Sequence, residues 1–266
     1  MSVIADSSRH RRVLLAVATS SVACVVALLA GCGGNSSKTT TPTAAGSLTP
    51  SSSSPTSAAP SASPASESQL ADILLQPSDL PPDWTPTPYE PSPGDTAAKA
   101  AFLTCLGLLS TAGDKVAEAH SLAFSLGDAT VTSTVSSSAS SYRSQTTVDA
   151  YIATLHSSKV SPCLEQRLKR QIAPQLPAGA AVESVSIKIT PGSGGGPAGP
   201  ANVVGDGVGT VKISVSGEHG VVYLRVAYIT GPLIWAEVDG SNVGAPVPAP
   251  LWESLVSAVA DRADQV

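Results

Sequence analysis

Apolar and polar residues divide the chain into three parts. An almost unbroken apolar run covers residues 13–30, and a segment rich in Ser, Thr, Pro and Ala follows without any apolar periodicity. In the remainder, apolar residues recur at the spacing of helices and strands. The pattern predicts a leader at residues 1–31, a tether at 32–68 and one globular domain at 69–266.

The globular part contains both helical and strand patterns. Apolar residues at helical spacing predict five helices. Two cover residues 68–75 and 96–110, a third runs from a Thr146 or Thr147 cap to Leu155, a fourth begins at Ser161-Pro162-Cys163, and the last covers residues 250–262. Alternation predicts strands at 129–136, 182–189, 208–216, 221–229 and 233–238, with a hairpin turn at 217–220. Together these elements predict an α+β fold, with helices packed on an antiparallel sheet of four or more strands.

The helix that begins near Cys163 is strongly amphipathic. Its apolar face carries Leu164, Leu168 and Ile172. The other face carries charged residues, which are expected to face solvent: Glu165, Arg167, Lys169 and Arg170. The spacing therefore places Cys163 on the first turn of a helix that lies on the sheet.

The N-terminal run has the layout of an export signal. A basic cluster at residues 9–12 precedes it, and it ends in Leu29-Ala30-Gly31-Cys32. This tetrapeptide resembles the lipobox of bacterial lipoproteins. The resemblance implies cleavage before Cys32, a diacylglyceryl group on its sulfur, and anchoring at the extracytoplasmic face of the cell membrane. The alternative is an uncleaved membrane anchor, since about twenty apolar residues suffice to cross a bilayer.

The tether has almost no charge and no aromatic residue. Such a segment cannot bury enough apolar surface to offset the entropy lost on ordering, so we expect it to be disordered. Its prolines favour extended structure of about 3 Å per residue. Ser- and Thr-rich segments with Pro are also typical O-glycosylation substrates, and a plain flexible spacer is the alternative.

Two cysteines follow the tether, Cys105 and Cys163. In an oxidising compartment the simplest interpretation of such a pair is a disulfide. The alternative is a reactive thiol assisted by His120 or His156. A metal site has less support because no CxxC or HxxxH spacing occurs, and no cofactor is predicted.

Composition and motifs limit the classes of function that are expected for this chain. The formal net charge is −5 with 13% charged residues, which does not provide the basic surface that nucleic acid requires. No Gly-x-Ser-x-Gly sequence occurs, and the glycine-rich stretch at 192–199 is interpreted as a loop because no helix follows it. Among the aromatic residues, Trp84, Tyr151 and Trp235 either line a cavity together with Asp83 or anchor the core.

The order of motifs resembles a known group. The chain has an opening LLQPSDLPPDWT, a cysteine in the following helix, a helix beginning Pro-Cys-Leu, a strand meander and a closing helix with Arg. This layout is similar to that of actinobacterial lipoproteins of the mycobacterial LpqN-like group, and to the extracellular sensor domain of a mycobacterial serine/threonine kinase family. The resemblance implies a non-enzymatic domain that binds an apolar or small ligand.

Two further functions are carried as hypotheses. An envelope scaffold that binds another protein is the alternative. An extracellular serine hydrolase is the third, because Ser is abundant and His120, His156 and His219 are present, although their spacing indicates no catalytic geometry.

Overall fold

The computed structural model describes residues 63–90, 95–127, 132–176, 178–192, 202–215 and 218–266. The predicted leader, Cys32, most of the tether and residues 193–200 of the predicted loop lie outside this part of the chain. In the described ranges, no helix combines the length and the apolar character needed to span a membrane. The folded part includes the last residues of the predicted tether, because Ala65 is buried and the first helix begins at Glu67.

Five α-helices and eight β-strands form the described part of the chain, as the α+β prediction requires. The helices are α1 (Glu67–Ile73), α2 (Asp95–Leu106), α3 (Gln145–Leu155), α4 (Val160–Ile172) and α5 (Ala249–Ala263). The strands are β1 (Thr85–Thr87), β2 (Lys115–His120), β3 (Ala123–Gly127), β4 (Thr132–Tyr142), β5 (Ala180–Pro191), β6 (Val203–Val215), β7 (Glu218–Gly231) and β8 (Ile234–Val243).

All the strands belong to one antiparallel sheet. Its order is β1-β3-β4-β8-β7-β6-β5, and β2 pairs with β4 as well. β3 pairs with residues 132–135 of β4, and β2 pairs with residues 138–142 along the same edge. The strands from β5 to β8 follow one another as a meander, so the second half of the domain forms from local pairings.

Helices cover both faces of this sheet. One core lies between the sheet and α2, α3 and α4, and contains Tyr151 and Trp235. A second core lies between the opposite face and α1 and α5, and contains Trp84. Tyr151, Trp235 and Trp84 are all buried core anchors. Because the sheet separates Trp84 from the other two, the three aromatic residues do not line one cavity.

Glycines on β6 and β8 let neighbouring side chains pack against bare backbone. A Cβ at position 207 would lie 2.5 Å from Val226 Cγ1 and 2.6 Å from Ile189 Cδ1. At position 240 a Cβ would lie 2.8 Å from Cζ3 of Trp252 on α5. These close approaches explain why the strand patterns carry glycine where a β-branched residue is usual.

The helix ends differ from the sequence predictions by a few residues. The hydroxyl of Ser144 accepts a hydrogen bond from the Thr146 backbone N–H, so Ser144 rather than Thr146 or Thr147 caps α3. α2 ends at Leu106, before Gly107 with a φ of +78°, and therefore stops short of the predicted residue 110. α4 begins at Val160 and has no side-chain cap.

Candidate functional site

The strand register places a row of polar side chains across the sheet. His120 of β2 lies opposite Ser138 of β4, Ser138 lies opposite Glu237 of β8, and Glu237 lies opposite Tyr228 of β7. Residues directly opposite in an antiparallel pair point to the same face, so these four share the face beneath α2 and α4. Glu118, Lys115 and Asp239 lie on the same face. We call this region the polar patch; its sheet residues are Lys115, Glu118, His120, Ser138, Glu237 and Asp239.

Two helices contribute cations to the polar patch. Lys99 comes from α2, and Arg167 comes from α4. A disulfide joins Cys105 and Cys163, with a Cα–Cα distance of 5.9 Å, and so fixes the two helices to each other. The predicted pairing of these two cysteines is present in the structure.

The predicted solvent position of Arg167 is wrong, because its residue is only 3% exposed. The guanidinium lies 5.3 Å from the ring centroid of Phe102, and its charge acts on the buried carboxyl group of Asp239. Acidic side chains on β8 therefore offset the cost of burying a cation on the sheet side of α4. Helical periodicity does not reveal those acids, since they are distant in sequence.

The outer end of the polar patch centres on Glu118. Lys115 Nζ donates to Glu118 Oε2 at 2.6 Å, Lys99 Nζ lies 3.9 Å from Glu118 Oε1, and His120 Nε2 lies 3.5 Å from the same oxygen. The ring of Tyr89 stacks on His120 with centroids 4.1 Å apart and planes 4° apart. This end is the more accessible one, because His120 keeps 23% of its side-chain surface exposed.

Burial and charge shift two pKa values at this outer end. Burial would raise the pKa of Glu118, but the hydrogen bond with His120 and the charges of Lys99 and Lys115 outweigh it, so the pKa is lowered. Burial lowers the pKa of Lys99 to about 8, although Glu118 opposes the shift. Lys99 thus carries a positive charge at neutral pH that is costly to maintain without further anionic contacts.

The inner end of the polar patch contains Asp239, which is 2% exposed. Neither of its carboxyl oxygens has a hydrogen-bond partner among the described residues. Burial and the adjacent Glu237 raise its pKa well above the ordinary value, and Arg167 only partly opposes that shift. Ser138, one strand away and 1% exposed, also has a hydroxyl without a hydrogen bond in the described part of the protein.

Aromatic side chains pack beside the inner end of the polar patch. Trp235 Nε1 donates to Glu237 Oε1 at 3.0 Å. The Trp235 ring centroid lies 5.4 Å from those of Tyr228 and Tyr151, in tilted arrangements. These rings are buried against one another, so their faces are occupied by the protein itself. The buried side-chain oxygens of this region that lack a hydrogen bond within the described residues belong to Asp239, Ser138, Ser140 and Tyr142.

The structure places the candidate histidines in different surroundings. His156 follows α3 and is exposed, and His219 Nδ1 lies 2.9 Å from Glu183 Oε1 with 68% of its side-chain surface exposed. His120 is the histidine that lies in the polar patch. Its strand register puts it opposite Ser138, but no hydrogen bond joins the two side chains.

Sequence reasoning missed the acids of the polar patch. Glu237 and Asp239 alternate with Ala236 and Val238, a pattern typical of the solvated face of a half-buried strand. β8 instead lies between β4 and β7 with helices over both faces, so every residue of the strand is buried. The one local signal that this face is buried is Trp235. It lies on the same face as Glu237 and Asp239, and its side chain is too large and apolar for a face exposed to solvent.

The described residues contain no group of three His, Cys, Asp or Glu side chains suited to holding a metal ion. Comparison with protein-family models, curated proteins and solved structures finds no match for this chain. The resemblances in the lipobox and in the order of motifs therefore stay predictions.

Proposed function

We propose that this protein is a lipid-anchored, extracytoplasmic binding protein that takes up a small polar ligand at the polar patch. The observation that carries the proposal is Asp239, a buried carboxyl group with two oxygens that lack donors from the described residues. Leaving a buried polar group unsatisfied costs about 1–3 kcal/mol, so a fold that retains one has another use for it. A ligand donor supplies the missing hydrogen bonds.

The size of the β4 side chains supports the same proposal. β4 presents Ser136, Ser138 and Ser140 to the helices, opposite Asp239, Glu237 and Trp235. Serine is among the smallest side chains, so β4 itself contributes little side-chain volume to this strip of the helix-covered face. Beyond it, toward β5 and β6, the same face is filled by aliphatic core residues such as Ile187 and Val211.

The polarity of the patch favours one of the ligand classes predicted from the sequence. A small polar molecule matches Asp239 and Ser138, whereas an apolar ligand would leave them unsatisfied. The envelope-scaffold hypothesis stays a prediction, as does the serine hydrolase. For a hydrolase, Ser138 would have to reach the His120 ring and gain exposure, which a fluorophosphonate probe would detect as labelling that Ser138→Ala abolishes.

Ligand uptake is testable with the full lipoprotein in detergent micelles. After incubation with the low-mass fraction of a cell-envelope extract, native mass spectrometry is expected to show a noncovalent adduct. Asp239→Asn should reduce its occupancy about tenfold, since one charged hydrogen bond contributes about 1.5–3 kcal/mol. The matched control is Asp261→Asn, which changes an exposed acid and should leave occupancy unchanged. Equal occupancy in both variants would rule out the polar patch as the site.

The lipid anchor is tested at Cys32. We expect Cys32→Ser to abolish labelling by radioactive palmitate and to change the mass of the protein, because the acyl chains are attached to that residue. Cys24→Ser, inside the apolar run, should leave both properties unchanged. A Cys32→Ser protein that remains in the membrane fraction at the wild-type mass would instead identify residues 13–30 as an uncleaved anchor.

A further inference from the structure

The inner end of the polar patch is closed to solvent. Asp239 is 2% exposed and Ser138 is 1% exposed, so a ligand reaches them only if part of the surrounding structure moves. On the same face of β4, Ser136 lies directly opposite Asp239 and is half-buried, whereas Ser138 and Ser140 are buried. The shortest path from solvent to Asp239 therefore begins beside Ser136.

The outer edge of β4 is interrupted at this point. β2 pairs with residues 138–142 of β4 and β3 pairs with residues 132–135, so no described strand pairs with Ser136 on that side. His120, the last residue of β2, lies next to the interruption. The ring of Tyr89 stacks on the His120 ring and covers it.

Tyr89 belongs to a weakly paired segment, residues 85–90, which we call the strap. Its pairing with β3 is limited to the three residues of β1, which are all exposed. Pro86 and Pro88 have no N–H to donate to a strand. Trp84 is buried and fixes the start of the strap. Segments with few buried contacts and exposed backbone hydrogen bonds are those that open most readily.

The strand register places the strap alongside the path to Asp239. At one end, the pairings of β1 with β3 and of β3 with β4 carry Thr85 to the row of Thr134. At the other end, Tyr89 lies over the histidine in the row of Ser138. Ser136 lies between these two rows on the same face of β4, because side chains alternate along a strand.

We propose that the strap is the gate of the polar patch, and that it moves away from β3 and His120 to admit the ligand beside Ser136. This inference rests on the proposed function and names the segment that controls access to its site. The other boundaries of the patch are held more firmly. A disulfide joins α2 to α4, and β8 is paired along its length with β4 and β7. The strap is therefore the boundary that opens at the lowest cost.

A designed disulfide can lock the strap shut. Thr87 lies directly opposite Ala123, and Cα atoms of such pairs are about 4.5–5.5 Å apart, within the range of a disulfide. Thr87→Cys/Ala123→Cys, in the full lipoprotein in micelles, should gain the adduct from the envelope extract at least about tenfold more slowly than wild type, because entry then requires a larger opening of the fold. The measurement is a time course of native mass spectrometry.

Two controls separate the lock from a general effect of a new bridge. Ser186→Cys/Thr210→Cys joins an opposite pair of β5 and β6, away from the polar patch, and should gain the adduct at the wild-type rate. After the same treatment with reductant, the locked protein and wild type should also gain it at equal rates. Peptide mass mapping must show the intended bridge together with Cys105–Cys163 in each oxidised variant.

Labelling of His120 by diethylpyrocarbonate tests the motion without any ligand. Tyr89→Ala uncovers the ring and should speed the labelling about fivefold, whereas the lock should slow it, since the strap then stays over the ring. His156 is exposed and should be labelled at one rate in all the proteins. Circular dichroism of Tyr89→Ala must match wild type, so that faster labelling reports on the strap.

The outcomes distinguish the gate from the proposed function. Slower uptake and slower His120 labelling in the locked protein, with the control bridge at wild-type rates, support the gate. Equal uptake by the locked protein and wild type overturns the gate and leaves the binding site. Equal labelling of His120 in wild type, locked protein and Tyr89→Ala also overturns it, since the strap would then not control access at that point. Absence of an adduct on wild type overturns the proposed function, and the gate with it.

Discussion

Replacing both bridged cysteines, in Cys105→Ala/Cys163→Ala, is expected to lower the free energy of unfolding by about 4 kcal/mol. The bridge closes a loop with a sequence separation of 58, and the chain-entropy model assigns that stabilisation to a loop of this size. Urea unfolding followed by circular dichroism measures the loss as a lower transition midpoint with a similar slope. Wild type in excess reductant should approach the midpoint of the double variant.

The double variant supplies its own control, because reductant should leave its unfolding midpoint unchanged. The disulfide also fixes α2 to α4, which carry Lys99 and Arg167. Ligand affinity is therefore expected to fall along with stability, even at temperatures where the variant is fully folded. A double variant as stable as the oxidised wild type would show that the packing of Phe102, Leu164 and Leu168 holds the helices by itself.

Local sequence patterns predicted those elements that bury one face and expose the other. β5 was predictable because Val185, Ile187 and Ile189 alternate with exposed residues at the sheet edge. α5 was predictable because its apolar stripe faces one layer of the sheet. In both cases the residues that pack inward are adjacent in the periodic pattern, so the sequence contains the necessary information.

The polar patch could not be predicted in the same way. Its members come from β2, β4, β8, α2 and α4, and only the strand register brings them together. β2 and β3 were missed altogether, since they are short and pair with β4 rather than with each other. Strand pairing between distant segments is fixed by the whole sheet, which no local window of sequence specifies.

Arg167 shows how tertiary structure can override a local sequence pattern. In the helical pattern it belongs to the charged face, and in the structure it is buried beside acids that lie about seventy residues away in sequence. A buried ion pair contributes little net stability, because desolvation offsets most of the attraction. We infer that the arrangement is retained for the ligand, since an apolar residue at position 167 with apolar partners on β8 would fold at least as well.

Replacing Arg167 alone is expected to have the second large effect. Arg167→Met keeps much of the side-chain volume but removes the cation that acts on the buried carboxyl group of Asp239, and loss of one member of a buried ionic group typically costs about 3–5 kcal/mol. Arg170→Met, which changes an exposed residue on the same helix, should cost less than about 0.5 kcal/mol. Equal unfolding midpoints for the two variants would contradict the assigned role of Arg167.

The loss caused by Arg167→Met should also depend on pH. Because the folded pKa of Asp239 is raised above the ordinary value of 3.8, the native state holds a proton that the unfolded chain releases, and stability falls as pH rises above that value. The charge of Arg167 limits this effect by lowering the Asp239 pKa. Without it the native state binds the proton more tightly, so the difference between variant and wild type should grow above the pH at which the wild-type carboxyl group of Asp239 ionises. A difference that stays constant at every pH at which both proteins are folded would show that the Arg167→Met substitution destabilises the protein through altered packing against Phe102 rather than through Asp239.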